Sequence, residues 1–76
     1  MNEERKIKVY IKINLNNEIT AINSDIFINN LSGWIKIDEG YGDKYAHAQG
    51  HYLDDPIIDR TGQYNYVYIN NKIQRR

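Results

Sequence analysis

The chain has no cysteine and only one proline, one tryptophan, one methionine and one phenylalanine. Without cysteine it forms no disulfide and no thiolate metal site. A domain of 76 residues buries only about 60% of its unfolded surface, and most domains of this size need a staple. Here the load falls on isoleucine and tyrosine side chains, or on self-association. An excess of charge is also missing, since ten acidic residues balance ten basic ones. A neutral chain lacks the field that draws phosphate backbones, so nucleic acid is not an expected partner. The basic residues gather near the ends, at Arg5, Lys6, Lys8, Lys72, Arg75 and Arg76, and read as solvated termini. No apolar run reaches the length of a membrane span. The polar opening from Met1 to Arg5 does not read as a secretory signal. The expectation is a chain that is cytoplasmic at synthesis and has no membrane partner.

Isoleucine and asparagine dominate what is present. Isoleucine favours strands, while asparagine favours turns and tolerates positive φ. The pairing predicts short strands joined by asparagine turns. Ile7, Val9, Ile11 and Ile13 alternate with polar residues, the period of a half-buried strand. A second strand follows over 18–23. A three-residue loop at 15–17 pairs Ile13 with Ile19 and Ile11 with Ala21, with Asn17 left-handed at its end. A two-residue loop would put the apolar residues out of phase. Ile26, Phe27 and Ile28 form a short apolar run, and residues 29–33 form a loop. Near the C-terminus, Asp59 to Gly62 reads as a turn and 63–69 as a strand. Asn70-Asn71 suits a type I′ turn. The chain reads as one domain over 1–76: an N-terminal hairpin at 6–23, a strand-turn-helix at 34–52 and a C-terminal hairpin at 63–74.

Residues 33–53 hold the tryptophan, both histidines and four of the five glycines. Trp34 to Asp38 alternates as a strand, with Ile35 and Ile37 on one face and Trp34 and Lys36 on the other. A Gly-rich turn follows. Asp43 then reads as the N-cap of a helix reaching about Tyr52, its carboxylate accepting from the first free amides. Tyr45, Ala48 and Tyr52 share a helical face, expected to pack on Ile11, Ile13, Ile35 and Ile37. Gly50 is the place where such a helix should be short or broken. The fold class is therefore α+β: a small antiparallel sheet of four or five short strands with one short helix at about 43–52.

This dense segment supports little chemistry. His47 and His51 lie four apart, a spacing that can hold a metal, and Asp43 lies one turn earlier. Position 48 is alanine, however, so the general base of a metalloprotease helix is missing. The reading is no metal and no cofactor, with His47 and His51 as weak candidates. The carboxylates of Asp38, Glu39, Asp43, Asp54 and Asp55 lack the spacing of a calcium loop. A glycosidase pair needs a cleft that so small a domain is not expected to form. Gly40-Tyr41-Gly42 is no phosphate loop, lacking a following Lys-Ser/Thr. Ser24 and Ser32 have no nucleophile-elbow context. No catalytic residue emerges, and the chain reads as a non-enzyme.

The aromatic residues carry more weight. Tyrosine and tryptophan combine broad contact area with a polar tip and are enriched at interface hot spots. Trp34, Tyr41, Tyr64, Tyr66 and Tyr68 are the candidate binding residues. Tyr64, Tyr66 and Tyr68 should share one strand face, and Trp34 should meet Tyr64 or Tyr66. These side chains serve a sheet and small core, a partner contact, or a carbohydrate platform.

The string Gly33-Trp34-Ile35-Lys36-Ile37-Asp38-Glu39-Gly40, continued by Gly42-Asp43-Lys44-Tyr45-Ala46-His47-Ala48-Gln49-Gly50 and Tyr52, resembles a motif of small phage and prophage proteins. These come from phages of Gram-positive bacteria and tend to be encoded near tail and baseplate genes. Pro56, Asp59, Gly62, Tyr64-Asn65-Tyr66 and Lys72-Ile73 fit the same pattern, so the resemblance covers about half the chain. It implies a tail- or virion-associated accessory role, with other phage structural proteins or further copies of the chain as partners. It carries over no catalytic residue. The expected function is a structural or protein-interaction module. The alternative is a carbohydrate-binding module of a tail that uses Trp34 and the tyrosine stripe.

Overall fold

The computed structural model describes residues 6–76. Arg5 and the reading of the polar opening lie outside them. Strands β1 (Ile7–Ile13), β2 (Ile19–Ser24) and β3 (Ile35–Gly40) form an antiparallel sheet in the order β2-β1-β3. Two single-turn helices follow, α1 (Asp43–Ala46) and α2 (Ala48–His51). Strands β4 (Tyr66–Ile69) and β5 (Lys72–Arg75) form a separate antiparallel hairpin. The class is α+β with five antiparallel strands, as the patterning predicts, but divided over two sheets rather than one.

The first turn follows its residues. Asn17 takes φ 63°, and the Asn14 Oδ1 accepts from the amides of Asn16 and Glu18. Ile13 pairs with Ile19 as expected. The register then departs from expectation: Thr20 is bulged, so Ile11 pairs with Ile22 rather than Ala21. Directly opposed residues share a face. The bulge therefore lets Ile19 and Ile22, three apart in sequence, both turn inward, where both are buried. It also turns Ser24 inward, opposite Val9. The Thr20 hydroxyl donates to the Lys12 carbonyl at 3.3 Å beside the bulge.

A second bulge falls at Ile37, where the partner register slips between Val9–Asp38 and Tyr10–Lys36. Simple alternation would put Asp38 outward with Lys36. Instead Asp38 stands opposite Val9 and faces the core side. The two bulges thus place Ser24, Val9 and Asp38 in one row across the inner face of the sheet. Bulges commonly re-aim side chains in this way.

Val9, Ile11, Ile19, Ile22, Ala48 and Tyr66 form the buried core. Ile13, Ile35, Ile37, Tyr45 and Tyr52 pack against it, joined by Leu53, Ile57, Tyr68 and Ile73 from the C-terminal half. The expected helical face of Tyr45, Ala48 and Tyr52 does meet the isoleucine face. Ile26 and Phe27, in the short apolar run, lie in a 3-10 turn, Asp25–Phe27.

The C-terminal hairpin turns through Asn70 and Asn71, both at positive φ, as a type I′ turn requires. It docks on the first turn through a Glu18–Val67 bridge and a bond from the Tyr68 amide to the Asn17 carbonyl, 2.8 Å. Three of the basic residues read as solvated termini have structural partners, and one of them, Lys6, lies 3.7 Å from Glu39. Arg75 bonds Asp55 at 3.0 Å, and Arg76 pairs with Glu18. Buried Asn65 receives the Arg76 amide on its carbonyl and donates to the Pro56 carbonyl at 2.7 Å. Among the described residues no helix is long and apolar enough to cross a membrane.

Candidate functional site

The segment after β3 is held by the two polar residues of the inner row. Asp38 accepts from the Tyr52 hydroxyl at 2.7 Å and the Tyr45 hydroxyl at 3.3 Å on one carboxylate oxygen. Its other oxygen accepts the Glu39 amide at 2.8 Å. The two tyrosine rings meet edge to face, with centroids 6.0 Å apart. The Lys44 ammonium lies 4.8 Å from the Tyr52 ring and 5.6 Å from the Tyr45 ring. Partial burial pushes the Asp38 carboxyl up, but the bonds from Tyr52, the Glu39 amide and Tyr45, with the Lys44 charge, outweigh it. The group titrates below the ordinary 3.8. Burial first, and then the bond to Asp38, hold the Tyr52 hydroxyl above its ordinary 10.0.

These shifts have signs that solution measurements can check. A carboxyl lowered in the folded state stabilises the fold above its unfolded value and loses that contribution as pH falls through the folded value. A tyrosine raised in the folded state stabilises the fold below its unfolded value and loses that contribution as pH rises through the folded one. The thermal midpoint of the wild-type chain should fall on acidification below 3.8. In Asp38→Asn that acid step should shrink. An unchanged acid profile in the variant would remove Asp38 from this role.

Ser24 is fully buried. Its hydroxyl donates to the Tyr45 carbonyl and accepts the Ala48 amide at 3.0 Å. Inside a continuous helix both groups would bond along the chain. Ser24 diverts them, and the helix breaks at His47 (φ −128°, ψ 53°). The expected break at Gly50 is therefore misplaced, and the one helix is two turns. The cap also differs from expectation. Gly42 is the N-cap, at a φ of 102° that suits glycine. Asp43 is the first helical residue, and its carboxylate contacts His51 instead.

His47 and His51 do converge with Asp43. The His51 Nδ1 lies 2.5 Å from one Asp43 oxygen, and the His47 Nε2 lies 3.9 Å from the other. The imidazole rings are 5.8 Å apart. The short contact occupies the nitrogen and oxygen that a shared metal would need. Among the described residues no group of three or more such side chains is placed to hold a metal ion.

The candidate aromatic residues do not assemble into one surface. Tyr66 is 7% exposed and belongs to the core; its hydroxyl accepts the Asp55 amide at 3.1 Å. Tyr64 bridges to Ile58, and Tyr68 packs on the core. Tyr41 is exposed on the turn after β3. Trp34 lies under the Lys12 ammonium at 4.9 Å. Among the described residues no ring contact joins it to Tyr64 or Tyr66. Phe27, which did not figure among the candidates, is the aromatic most open to solvent, at 56% exposure. Its ring centroid lies 6.3 Å from that of His47. Ile26 and Leu31, at 49% and 44%, are exposed on the same β2–β3 connection. The signal available in sequence was the apolar run at 26–28, with no alternation to bury it. No family model matches the chain, and neither a curated protein nor a solved structure matches it.

Proposed function

We propose that the chain is a non-enzymatic interaction module whose contact surface is the β2–β3 connection. The observation that supports this most is the exposure of Ile26, Phe27 and Leu31 on one connection. Among the described residues only six apolar side chains are buried. Apolar side chains left outside together mark contact surfaces. The titratable groups of 38–52 bear on the same reading. Asp38 serves Tyr45 and Tyr52, and Asp43 engages His51. The motif's resemblance to phage and prophage proteins supports a tail or baseplate protein as the partner, and the virion as the place of action.

The exposed edge β3 bears on the choice between self-association and a foreign partner. It carries a bulge, a Lys36–Glu39 pair at 2.8 Å and an Asp38 carboxylate on the Glu39 amide. Such features discourage edge-to-edge pairing of sheets. A foreign partner is therefore favoured over a second copy. In pull-downs from an induced lysogen, the wild-type chain should retain a virion protein, and Ile26→Asp/Leu31→Asp should lose it at an unchanged thermal midpoint. Recovery of no virion protein, together with a strict monomer by light scattering, would end the proposal.

A further inference from the structure

The neutral total charge conceals an uneven distribution. In β1, Val9 and Ile11 face the core, so alternation turns Lys8, Tyr10 and Lys12 to the outer face of the sheet. Directly opposed residues share a face, and the register sets Glu39 beside Lys8 and Lys36 beside Tyr10. On the other flank Asn23 and Ala21 oppose Tyr10 and Lys12, and neither is charged. Trp34 precedes Ile35, which packs on the core, and lies under the Lys12 ammonium at 4.9 Å. Lys6 reaches the same face through Glu39, at 3.7 Å.

The outer face thus gathers four of the ten basic residues and two aromatic rings around a single carboxylate of the described strands. The hydrogen bond and charge of Lys36, then the charges of Lys6 and Lys8, outweigh burial and hold the Glu39 carboxyl below its ordinary 4.5. One carboxylate leaves the cluster strongly cationic. Lys36 and Lys6 take Glu39, and among the described residues Lys8 and Lys12 have no ion pair. Tyr10 and Trp34 are half-buried, while Lys12 and Lys36 are exposed.

We infer that this outer face binds single-stranded nucleic acid, with bases stacked on Tyr10 and Trp34 and phosphates on Lys8, Lys12 and Lys36. Rings interleaved with cations on an open sheet serve unpaired bases and their backbone together. Tyr10 and Trp34 are diagonal neighbours on adjacent strands, about 7–8 Å apart, so two bases stack side by side. On binding, Lys12 yields the Trp34 ring to a base and moves to a phosphate. A duplex is less well served, because its bases stay stacked and its major groove admits a helix or a two-stranded ribbon. A neutral glycan leaves the lysines unused. A lipid surface takes apolar side chains into the acyl boundary, and none of the exposed large apolar residues belongs to β1 or β3. The expectation of no nucleic-acid partner rests on total charge, which does not register this segregation. The site goes beyond the protein contact proposed above and shares no residue with it.

The test is a titration of the full chain with oligothymidylate and oligouridylate dodecamers. Trp34 is the only tryptophan, so its emission reports stacking, and at least one dodecamer should quench it saturably. With three lysines on phosphates, affinity should fall with salt at a log–log slope of about −2. By anisotropy of the labelled dodecamer, Tyr10→Ala should weaken binding about fivefold or more. Lys8→Glu/Lys12→Glu, which leaves the Glu39 ion pairs intact, should weaken it about tenfold or more. Ile26→Asp/Leu31→Asp should bind as the wild type does, so failure here and failure of the protein contact are distinguishable. The inference is overturned if neither dodecamer quenches Trp34, if the matching duplex or inorganic polyphosphate binds as tightly as the single strand, or if the lysine variant binds as the wild type does.

Discussion

Gly40→Ala will strongly destabilise the domain. A Cβ at position 40 falls 2.7 Å from two ring carbons of Tyr45 and 3.1 Å from a third. The ring cannot swing clear at little cost, because its hydroxyl bonds Asp38 and its edge meets Tyr52. Overpacking of this kind costs about 1–3 kcal/mol, and each kcal/mol lowers the midpoint of so small a domain by about 4–8 °C. A midpoint lowered by roughly 10 °C is therefore expected in thermal unfolding. Tyr45→Phe should not relieve it, since the clashing carbons remain. Tyr45→Ala should make the two losses less than additive, as contacting residues do. A Gly40→Ala midpoint within a degree or so of wild type would show that the Tyr45 ring does not lie over Gly40.

Ser24→Ala is the second large effect. The substitution removes one oxygen and orphans two backbone groups, the part-buried Tyr45 carbonyl and the buried Ala48 amide. Each unsatisfied buried group costs about 1–3 kcal/mol, so the total is about 3 kcal/mol, discounted for whatever the chain recovers by reforming a continuous helix. That recovery is itself measurable. Exchange of the Ala48 amide with solvent should accelerate more than that of the β1 amides, because the helical turns loosen before the sheet does. Exchange that rises equally everywhere would assign Ser24 a general packing role instead.

The parts of this fold that could be read in the sequence are those settled within a few residues. Asn17 and the Asn70-Asn71 pair announce positive φ because few other residues accept it. The alternation in β1 announces a strand because its period needs no partner to be visible. Tyr45, Ala48 and Tyr52 share a face through helical spacing, and the interruption at His47 leaves that face intact. Whatever depends on a partner far along the chain was hidden. The bulge at Thr20 exists because Ile19 and Ile22 must both reach Val9 and Ile11. That constraint appears only once β1 and β2 are paired.

The break at His47 has the same origin. Its cause is Ser24, more than twenty residues away. Inspection of 43–52 alone points to Gly50, the worst helix former in the window. In the candidate site, the i, i+4 spacing of His47 and His51 correctly brought them together with Asp43. What spacing could not show is that Asp43 takes the His51 ring for itself. The role of the tyrosine stripe stayed open in the sequence for a different reason. Alternation places Tyr64, Tyr66 and Tyr68 on one face but does not say which face the core occupies, and the core took Tyr66. Phe27 went unnoticed because an apolar residue without a period is usually credited to the interior.

The central claim is that residues 38–52 form a frame, gripped by Ser24 and Asp38 from one row of the sheet. The proton spectrum around Gly40 tests it most directly. With the Tyr45 ring carbons against position 40, a Gly40 Hα should resonate far upfield of its ordinary position and show a cross-relaxation peak to the Tyr45 ring protons. A companion peak should join the Ser24 β protons to the Ala48 amide. A Gly40 Hα at an ordinary shift, with neither peak present, would contradict the frame.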